Sequence, residues 1–358
     1  MAALATVFLL LFAVRFGLAC SYARRRFGHA RPSGPAAILQ PILSGDPLLA
    51  ATLAENAETL RNERLYWLVD DDDPAGQSAA EGGIAQVVTG PAPRDGQNPK
   101  AVKLARALAL VAEPTVVVLD DDTRIGNLEL DRLLASLEIA DLVTGLPVFV
   151  SGGSIYERFV GGFVNGNALL TYLPAASVGT QHTINGMIYA ARTEELRALG
   201  GFAAIQTQLT DDYAMAQLFE RNGRRILQTA VCVRVGMTIR DAAHCGRVLR
   251  RWFLFANRYL RDNAGLPLLL LVGLPSVLPL AGVVFGWPWF VLLAGKAAMN
   301  RWLLWRVAGI SSGIMDVVFE VLADVLSPLF YLSALVRPHE LRWRSRRIAM
   351  DGERIRYR

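Results

Sequence analysis

The sequence predicts an α/β domain with a mostly parallel sheet, flanked by transmembrane helices. Between residues 33 and 260, short apolar runs alternate with helix-length segments, which is typical of βαβ units and parallel strands. At both ends of the chain the apolar runs are long enough to span a bilayer. Hydrophobic residues make up 53% of the chain and charged residues 19%. Soluble domains carry about 25% charged residues, so the composition favours a membrane-associated protein.

Composition and charge exclude several classes of protein. The chain of 358 residues is too apolar for intrinsic disorder, and three cysteines are too few for a disulfide-stapled scaffold. The terminal segment 337–358 holds eight arginines and three acidic residues, which account for the whole formal net charge of +5. We interpret this segment as a basic cytoplasmic tail that faces anionic lipid. Because the rest of the chain is neutral, we expect no nucleic acid as a partner.

The N-terminal segment is predicted to be a membrane anchor. Residues 2–20 are apolar apart from Arg15, and three arginines follow at 24–26. A cleaved signal peptide carries its positive charges before the apolar run, where this chain has none. We therefore predict an uncleaved transmembrane anchor over residues 1–22 with its arginines in the cytoplasm. Arg15 is expected to snorkel to the interface.

A second membrane region is predicted over residues 263–336. Its first part, Asn263 to Gly295, holds no charged residue and is long enough for one span and the start of a second. Trp287-Pro288-Trp289 is expected to form an interfacial turn between them, with its aromatic rings at headgroup depth. The second span would then continue to about Leu304, with Lys296 inside it.

The last apolar segment, 314–336, carries Glu320 and Asp324 four residues apart on one helical face. It is either a span with buried acids or a helix that lies in the interface. Because the arginines at 24–26 and the tail 337–358 both favour the cytoplasm, an even number of crossings must follow residue 260. We expect two crossings plus an interfacial helix, with four crossings as the alternative.

Between these regions, 33–239 is predicted to be the catalytic α/β domain and 240–262 an amphipathic interfacial helix. The six arginines of 240–262, mixed with Trp, Phe and Tyr, suit the headgroup region. The predicted strands are 36–43, 64–70, 83–89 and 115–122, and the predicted helices of the domain are 47–60, 98–111 and 209–220. In such sheets, ligands bind at the carboxyl ends of the parallel strands.

Two of the predicted strands end in clusters of aspartates, Asp70–Asp73 and Asp120–Asp122. Asp120 and Asp122 can present two carboxylates to one divalent cation, Mg²⁺ or Mn²⁺, which shares its oxygen ligands with substrate phosphates. The alternative for a lone D-x-D is a solvated acidic turn. The second cluster counts against it, because like charges at neighbouring strand ends need a cation or hydrogen-bond donors between them.

Three further groups are candidates for the site. Asp211 and Asp212 open a predicted helix, either as charges favoured by the helix dipole or with one of them as a general base. Lys100 opens another helix, whose N-terminus suits a phosphate. Arg250-Arg251-Trp252 is either an interfacial belt or part of the site.

The ordered set of motifs resembles the ceramide glucosyltransferase family and its bacterial relatives. The stretches that carry the resemblance are LQPILSGDPLLAATL (39–53), DDDDPA (70–75), GQNPK (96–100), LDDDTRI (119–125), LVTGLPV (142–148), NGM (185–187), LGGF (199–202), LTDDYAMAQ (209–217), RRW (250–252) and SALVRPHELRWR (333–344). They run through nearly all of 36–344 in the family's order and at similar spacing. The resemblance implies a GT-A, Rossmann-like catalytic domain held to the membrane.

The resemblance also implies roles for the aspartates. Asp70 and Asp73 would contact the base and ribose of the nucleotide. Asp120 and Asp122 correspond to the family's D-x-D, which holds the metal ion and the sugar diphosphate. Asp212 matches the aspartate that acts as a base on the acceptor hydroxyl.

Arg251 and Trp252 match the end of the family's Q/R-x-x-R-W motif and would bind the nucleotide sugar. The chain departs from the motif at its first position, which is Val248. Arg247 and Arg250 are the alternatives for the polar contact made from that position. Lys100 is the implied partner of a phosphate.

The implied enzyme transfers a sugar, first choice glucose, from a UDP-sugar to a hydroxyl of a membrane lipid, first choice a ceramide-like acceptor, with inversion to a β-glycolipid. The alternatives are GlcNAc on a hopanoid-type lipid, a hexose or uronic acid on diacylglycerol, and a processive polysaccharide synthase. A non-catalytic, cation-binding membrane protein is a further alternative, against which the acidic clusters count. The expected location is the bacterial cytoplasmic membrane with the catalytic domain facing the cytoplasm. His182 and His244 are expected to be ordinary polar or packed residues, with an acceptor-side contact by one of them left open.

Overall fold

A computed structural model describes residues 1–336, 340–343, 346–351 and 354–357. The chain divides into two compact units. The helical unit comprises Met1–Arg26, Leu146–Gln181 and Ile239–Arg337, and the sheet unit comprises Phe27–Gly145, His182–Thr238 and Pro338–Arg358. Residues 146–181 lie within the stretch that we predicted as one catalytic domain, and they group with the helical unit.

Among the described residues, eight strands form one mixed sheet. They are β1 (Ala36–Pro41), β2 (Arg64–Asp70), β3 (Gln86–Gly90), β4 (Thr115–Leu119), β5 (Thr123–Arg124), β6 (Leu142–Phe149), β7 (Ile188–Arg192) and β8 (Ile226–Val235). Their order across the sheet is β3-β2-β1-β4-β7-β6-β8-β5. The first four of these pair in parallel, and β7 is antiparallel to both β4 and β6.

The helices alternate with the strands and then dominate the end of the chain. They are α1 (Ala2–Ala23), α2 (Leu49–Thr59), α3 (Pro74–Ala79), α4 (Pro99–Leu108), α5 (Asn127–Ala135), α6 (Ile155–Ser177), α7 (Thr193–Ala198), α8 (Asp211–Arg221), α9 (Ala242–Asp262), α10 (Leu266–Leu268), α11 (Leu274–Ala281), α12 (Trp287–Ala308) and α13 (Ile314–Val336). α1, α6 and α9 to α13 belong to the helical unit, and the others belong to the sheet unit.

The sheet is buried on both faces, as expected for parallel strands covered by helices. All six residues of β1 are buried. Ala36 and Ile38 pack into one apolar core, and Ala37 and Leu39 pack into the other. The predicted α/β fold class is therefore confirmed. The antiparallel strand β7 beside β4 was not part of the prediction.

In the helical unit, three described helical segments are long and apolar enough to cross a membrane. They are Ala2–Ala23, Leu266–Phe285 and Ile314–Val336. The first contains the predicted anchor, and the third is the segment that we expected to be either a span or an interfacial helix. Helix α12, where we expected a crossing, does not meet the same criterion. It includes Lys296 and Arg301, and both are buried.

Two side chains of the membrane segments lie inside the helical unit. The expectation that Arg15 snorkels is wrong, because its side chain is buried and its Nε donates a hydrogen bond to the Leu170 carbonyl at 2.9 Å. Trp287 is 77% exposed, so the interfacial turn stays a prediction, but Trp289 is fully buried. Its ring packs on Phe8 at 5.2 Å between centroids, and its indole N–H donates to the Pro279 carbonyl at 2.9 Å. In both cases a neighbouring helix supplies the hydrogen-bond partner that the apolar run lacks.

Helices α6 and α13 approach each other closely because α6 presents glycine at the contact. A Cβ added to Gly162 would lie 2.5 Å from the Phe319 carbonyl oxygen. A Cβ added to Gly166 would lie 2.9 Å from Cγ of Glu320. Small residues at such contacts are typical of helices that pack within membranes.

The predicted basic tail, 337–358, lies partly outside the described residues. Its described parts form three antiparallel strands, β9 (Glu340–Trp343), β10 (Arg346–Asp351) and β11 (Arg354–Tyr357), with β10 in the middle. Tyr357 contacts the loop before α4. Its N–H donates to Asp95 Oδ1 at 2.8 Å, and its hydroxyl donates to the Gln97 carbonyl at 2.7 Å.

Candidate active site

The aspartates after β4 point in alternating directions. Strand β4 ends at Leu119, so the three aspartates follow the strand in a turn in which the Thr123 N–H donates to the Asp120 carbonyl at 3.0 Å. Asp121 is buried, and its Oδ2 accepts a hydrogen bond from the Leu43 N–H at 2.9 Å. Asp120 and Asp122 are partly exposed. The local structure therefore leaves these two carboxylates partly exposed at the strand end.

Lys100 lies at the centre of the candidate site. Its ammonium group is 2.7 Å from Asp120 Oδ1 and 3.3 Å from Asp211 Oδ2, and it donates to the Gly186 carbonyl at 2.7 Å. Asn98 caps α4 by accepting the Lys100 N–H at 2.9 Å. Burial lowers the pKa of Lys100, but the charges of Asp120 and Asp211 outweigh it, so the pKa lies well above its usual value. Lys100 is therefore a permanent cation that joins the β4 turn to the start of α8.

Two carboxylates of this cluster resist ionisation. Burial is the largest cause, and although Lys100 opposes it, neighbouring Asp122 and Asp211 help to raise the pKa of Asp120 to about 7. Burial and the charge of Asp211 likewise raise the pKa of Asp212 to about 6. Such shifts arise where like charges share a poorly solvated site, and they are common among catalytic groups.

Asp212 begins α8 beside the Asn185–Met187 loop. Its Oδ1 accepts the Tyr213 N–H at 2.7 Å. Gly186 approaches it so closely that an added Cβ would lie 3.3 Å from Cβ and 3.4 Å from Oδ2 of Asp212. Asp211 is buried and paired with Lys100, whereas Asp212 is partly exposed. Of the two, Asp212 is therefore the one that an acceptor group can reach.

The aspartates at the end of β2 form the second half of the candidate site. Asp70 is fully buried, and its Oδ2 lies 3.0 Å from Lys103 Nζ. Asp73 caps α3 through the Gly76 N–H at 3.1 Å and accepts the Ser44 N–H at 2.9 Å. Burial acts to raise the pKa of Asp73, but these hydrogen bonds outweigh it and lower the pKa.

The loop after β1 connects the two acidic clusters. Leu43 donates its N–H to Asp121, and the next residue, Ser44, donates its N–H to Asp73. Because β1, β2 and β4 are parallel, their carboxyl ends share one edge of the sheet. The structure thus brings the two predicted clusters together at that edge.

Arg251 and Trp252, also predicted from the sequence, lie on α9 in the helical unit. Trp252 stacks on Phe163 of α6, with 6.2 Å between ring centroids and 20° between planes. Arg251 is partly exposed. Val248, which departs from the family motif, is buried among the residues of α9 that face the unit's interior. The role of Arg251 and Trp252 with the donor stays a prediction.

The donor set at the β4 turn fits a divalent cation. Asp120 and Asp122 offer hard oxygen ligands, and the pKa of Asp120 is raised partly by the nearby Asp122. Within the described part of the chain, no group of three or more His, Cys, Asp or Glu side chains could hold a metal ion alone. Mg²⁺ and Mn²⁺ commonly take one or two carboxylates and complete their coordination with substrate phosphates and water.

Two residues near the site received no role from the sequence. Lys103 is buried between Asp70 and the Ile42 carbonyl, to which its Nζ donates at 2.5 Å. Tyr189 on β7 is buried, and burial followed by the charges of nearby Asp211 and Asp120 places its pKa well above the usual value despite the opposing charge of Lys100. Lys103 does stand out in the sequence, because it is one of only three lysines in the chain. Nothing in the sequence pattern singles out Tyr189.

His182 and His244 make polar contacts at the surface. His182 Nδ1 lies 2.9 Å from Glu220 Oε1 in an exposed pair. His244 accepts the Arg240 N–H at 3.4 Å. The role of the two histidines stays a prediction.

In an α/β domain of this class, ligands bind at the carboxyl ends of the parallel strands, where the two acidic clusters lie. The model of glycosyl transferase family 21 matches residues 3–355. The chain belongs to glycosyl transferase family 21. It is therefore a glycosyltransferase, and the membership supports transfer of a sugar from a nucleotide sugar.

Among curated proteins, no sequence matches the chain significantly. Among solved structures, glucosyl-3-phosphoglycerate synthase from Mycobacterium tuberculosis, in complex with Mn²⁺, UDP and phosphoglyceric acid, is 19% identical over 65% of this chain and 79% of that chain, with a TM-score of 0.39. The same enzyme with UDP alone is 17% identical over 66% of this chain and 87% of that chain, with a TM-score of 0.38. Similarity at this level says nothing about the substrate of this chain.

Proposed function

We propose that the protein is an inverting, divalent-metal-dependent glycosyltransferase that moves glucose from UDP-glucose to the hydroxyl of a ceramide-like membrane lipid. The observation that carries the proposal is the cluster around Lys100. It combines two carboxylates at the end of β4 with the partly exposed Asp212, whose pKa is raised to about 6. A carboxylate with such a pKa is ionised at neutral pH and still basic enough to accept a proton.

The donor site proposed here uses both acidic clusters. Asp70 and Asp73 bind the base and ribose, and Lys100 with Asp120 holds the sugar diphosphate. Their contacts with Lys103 and with the loop after β1 fix the positions of these groups before the donor arrives. Arg251 and Trp252, which match the end of the family motif, are also proposed to bind the donor. Preorganised groups of this kind stabilise a developing charge without reorganising during the reaction.

Asp120 and Asp122 are the residues that would hold Mg²⁺ or Mn²⁺. When bound, the cation supplies charge neutralisation for the nucleoside diphosphate leaving group. The proposed role of the two carboxylates is to orient the diphosphate. Lys100 keeps Asp120 in place through the 2.7 Å ion pair.

The chemical step is a single displacement at the anomeric carbon. The acceptor hydroxyl gives its proton to Asp212 as its oxygen bonds to that carbon, and the bond from the anomeric carbon to the diphosphate oxygen breaks. The electron pair of that bond leaves with the nucleoside diphosphate. One displacement inverts the configuration, so an α-linked donor gives a β-glycoside.

A lipid acceptor is supported by the helical unit. Its three candidate spans and the arginine-rich helix α9 suit an enzyme that works on a substrate at headgroup depth. We place the enzyme in the bacterial cytoplasmic membrane with its catalytic domain in the cytoplasm. The alternative acceptors are a hopanoid-type lipid, for GlcNAc, and diacylglycerol, for a hexose or uronic acid.

The proposal is tested with purified full-length protein in detergent. Transfer from radiolabelled UDP-glucose, UDP-GlcNAc and UDP-glucuronic acid is measured to ceramide, diacylglycerol and a hopanoid polyol, with Mn²⁺, Mg²⁺ or EDTA. We expect a cation-dependent β-glucosylceramide, identified by mass spectrometry and β-glucosidase digestion. Asp212→Asn is the matched inactive variant.

Each outcome bears on a different part of the proposal. Transfer to another lipid keeps the enzyme and replaces the acceptor. Full activity in EDTA rejects the metal requirement, and a polymeric product indicates the polysaccharide synthase. If no nucleotide sugar is consumed with either cation by protein that unfolds cooperatively on heating, the proposed reaction is wrong.

A further inference from the structure

Tyr189 carries a buried hydroxyl group that makes no hydrogen bond within the described part of the chain. The residue is 2% exposed. On β7 it pairs with Val118, two residues before Asp120, so it lies next to the candidate site. A buried hydroxyl without a partner is unfavourable, and the few that native proteins keep are often at functional sites.

The side chain of Tyr189 lies between the two helices that carry Lys100 and Asp211. It packs in the apolar core that contains Ala101 of α4 and Ala214 of α8. Lys100 lies in the first turn of α4, and Asp211 begins α8. Burial raises the pKa of Tyr189, and of the nearby charges that of Lys100 opposes this most and that of Asp211 adds to it most. The hydroxyl is therefore close to the ion pair that these two residues form.

The ammonium group of Lys100 has three N–H donors, and three oxygen atoms surround it. Asp120 Oδ1 and the Gly186 carbonyl oxygen each lie 2.7 Å from Nζ, and Asp211 Oδ2 lies 3.3 Å from it. In the proposed function, Lys100 also binds the diphosphate of the donor, so one of these contacts must be given up. The contact with Asp211 is the longest, and Asp211 Oδ2 accepts no hydrogen bond from the described residues. A phosphate oxygen would therefore displace Asp211.

Asp211 would then be a buried carboxylate without its ion pair. The residue is 7% exposed, and loss of one partner of a buried ion pair is strongly destabilising. The hydroxyl of Tyr189 is a donor that is already in place near Asp211 and is not used by another described residue. Hydrogen bonds from a hydroxyl to a carboxylate are among the strong ones, so this group can replace Lys100.

We propose that Tyr189 is a positioning residue for donor binding, whose hydroxyl donates to Asp211 when Lys100 turns from Asp211 to the diphosphate. Asp211 then has a donor in both states, and Lys100 keeps its contact with Asp120. Tyr189 itself does not touch the diphosphate. The inference rests on the proposed function, because it needs a diphosphate at Lys100.

The exchange is tested with purified full-length protein in detergent, by calorimetric titration with UDP in the presence of Mn²⁺. Tyr189→Phe removes only the hydroxyl. Without UDP, the thermal unfolding midpoint of this variant should stay the same or rise, because no hydrogen bond is lost. The Kd for UDP should rise about tenfold or more, because Asp211 then has no replacement donor. A residue that only packs the core would not show this combination.

Tyr66→Phe is the matched control. Tyr66 belongs to the same apolar core and is 5% exposed, but its hydroxyl already donates to Glu113 Oε2 at 3.1 Å. The control should show the opposite pattern, with a lower thermal unfolding midpoint and a Kd for UDP that changes less than about twofold.

A double-substitution cycle identifies the group through which Tyr189 acts. Asp211→Asn removes the charge that needs the replacement donor. Whatever the effect of Asp211→Asn alone, adding Tyr189→Phe to it should raise the Kd for UDP less than about twofold further. The same tenfold loss in both backgrounds would mean that Tyr189 contacts the ligand itself, which contradicts the proposal. If Asp211→Asn does not fold, the midpoint and Kd of Tyr189→Phe decide alone.

Two further results would overturn the proposal. A lower thermal unfolding midpoint of Tyr189→Phe without UDP would show that the hydroxyl already has a partner. An unchanged Kd for UDP in Tyr189→Phe would show that no exchange occurs. If instead the wild-type protein bound no UDP with either Mn²⁺ or Mg²⁺, the proposed donor site and the proposed function would be wrong.

Discussion

Two clusters of buried charge, one in each unit, use the same residue types with a different balance. In the sheet unit, the Lys100 cluster sets one lysine against Asp120, Asp122, Asp211 and Asp212. In the helical unit, the Lys296 cluster sets Lys296 and Arg301 against Glu320 and Asp324. The first has three more acids than bases. The second has two of each, and the buried Arg15 adds a positive charge near Asp324.

The Lys296 cluster pairs each of its charges. Lys296 Nζ lies 2.9 Å from both Glu320 and Asp324, and Arg301 Nε lies 2.8 Å from the second oxygen of Glu320. Asn300 adds a hydrogen bond to Glu320 at 3.0 Å. These pairs join α12 to α13. Within a membrane segment, charges are tolerated when they pair with one another in this way.

The difference in balance separates a structural role from a functional one. Excess negative charge in a poorly solvated site is unfavourable unless a cation binds. Burial and the neighbouring carboxylates raise the pKa of Asp120 to about 7, which means that its charged form is disfavoured. A cluster without an excess of acids needs no added cation. We therefore expect substitutions in the Lys100 cluster to reduce activity and substitutions in the Lys296 cluster to reduce stability.

The largest expected effect is at Asp212. Asp212→Asn removes the proposed base while preserving size, and kcat should fall about 10²- to 10⁴-fold. The thermal unfolding midpoint should stay the same or rise, because a carboxylate with a raised pKa is destabilised in its charged form. Steady-state kinetics with saturating UDP-glucose and thermal unfolding in detergent measure the two effects.

Glu220→Gln, on the same helix, is the control for Asp212→Asn. Glu220 pairs with the exposed His182 and should be replaceable without loss of kcat. If Asp212→Asn kept more than a tenth of wild-type kcat, Asp212 would not be the base. The Lys100 cluster would then need another interpretation.

The second effect is at Glu320. Glu320→Gln leaves the buried Lys296 and Arg301 with only Asp324 as an acid, and breaking a buried ion pair costs about 3 kcal/mol. The thermal unfolding midpoint should fall, and kcat per folded molecule should not change. Glu58→Gln is the matched control, because the exposed Glu58 pairs with Arg61 at 3.7 Å and such pairs contribute less than about 1 kcal/mol. If Glu320→Gln lowered kcat and left the thermal unfolding midpoint unchanged, the Lys296 cluster would have a functional role and not a structural one.

The sequence predicted the parallel half of the fold well. Strand β2 begins and ends at the predicted residues, 64 and 70, because its apolar run is bounded by an arginine and a row of acids. The predicted strand 115–122 instead ends at Leu119, since the three aspartates form a turn. The antiparallel strand β7 was missed because it has only five residues, four of them buried, and the loop before it has no strand pattern.

The charged contacts were harder to predict than the elements. The sequence placed Glu320 and Asp324 on one helical face and put Lys296 in a neighbouring segment, but their pairing depends on how α12 packs against α13. Likewise, Asp120 and Lys100 were both candidates for phosphate or metal binding, and the 2.7 Å ion pair between them was not foreseen. Side chains that meet across tertiary contacts leave no periodic signal in the sequence.

The third effect is a dependence of kcat/KM on pH. The pKa of Asp212, raised to about 6 by burial and by Asp211, sets the lower limit of activity because a base must be deprotonated. At pH 5, about one-tenth of the free enzyme would hold the ionised form, so kcat/KM for the acceptor should fall about tenfold from its plateau above pH 7. The measurement uses acceptor concentrations well below KM. The residual activity of Asp212→Asn should not show this fall at low pH. If the fall persisted in the variant, it would belong to the titration of another group.

The smallest effect tests whether the position of Asp212 matters as well as its charge. An alanine Cβ at Gly186 would lie 3.3 Å from Cβ of Asp212, so the aspartate must move by a few tenths of an ångström. Misplacement by 1 Å can cost about 10²-fold, so Gly186→Ala should lower kcat severalfold. Gly17→Ala, with no atom within 4 Å of the added Cβ, is the control.

A double-substitution cycle separates positioning from general damage. If Gly186→Ala acts only by moving the base, it should cost nothing further once Asp212→Asn has removed that base. The residual rates of Asp212→Asn and of the double variant should then agree. If Gly186→Ala instead disturbs the Lys100 contact with the Gly186 carbonyl, at 2.7 Å, the same severalfold loss should persist in the double variant and appear in KM for the donor. The outcome decides whether Gly186 positions the proposed base, Asp212, or the donor-binding Lys100.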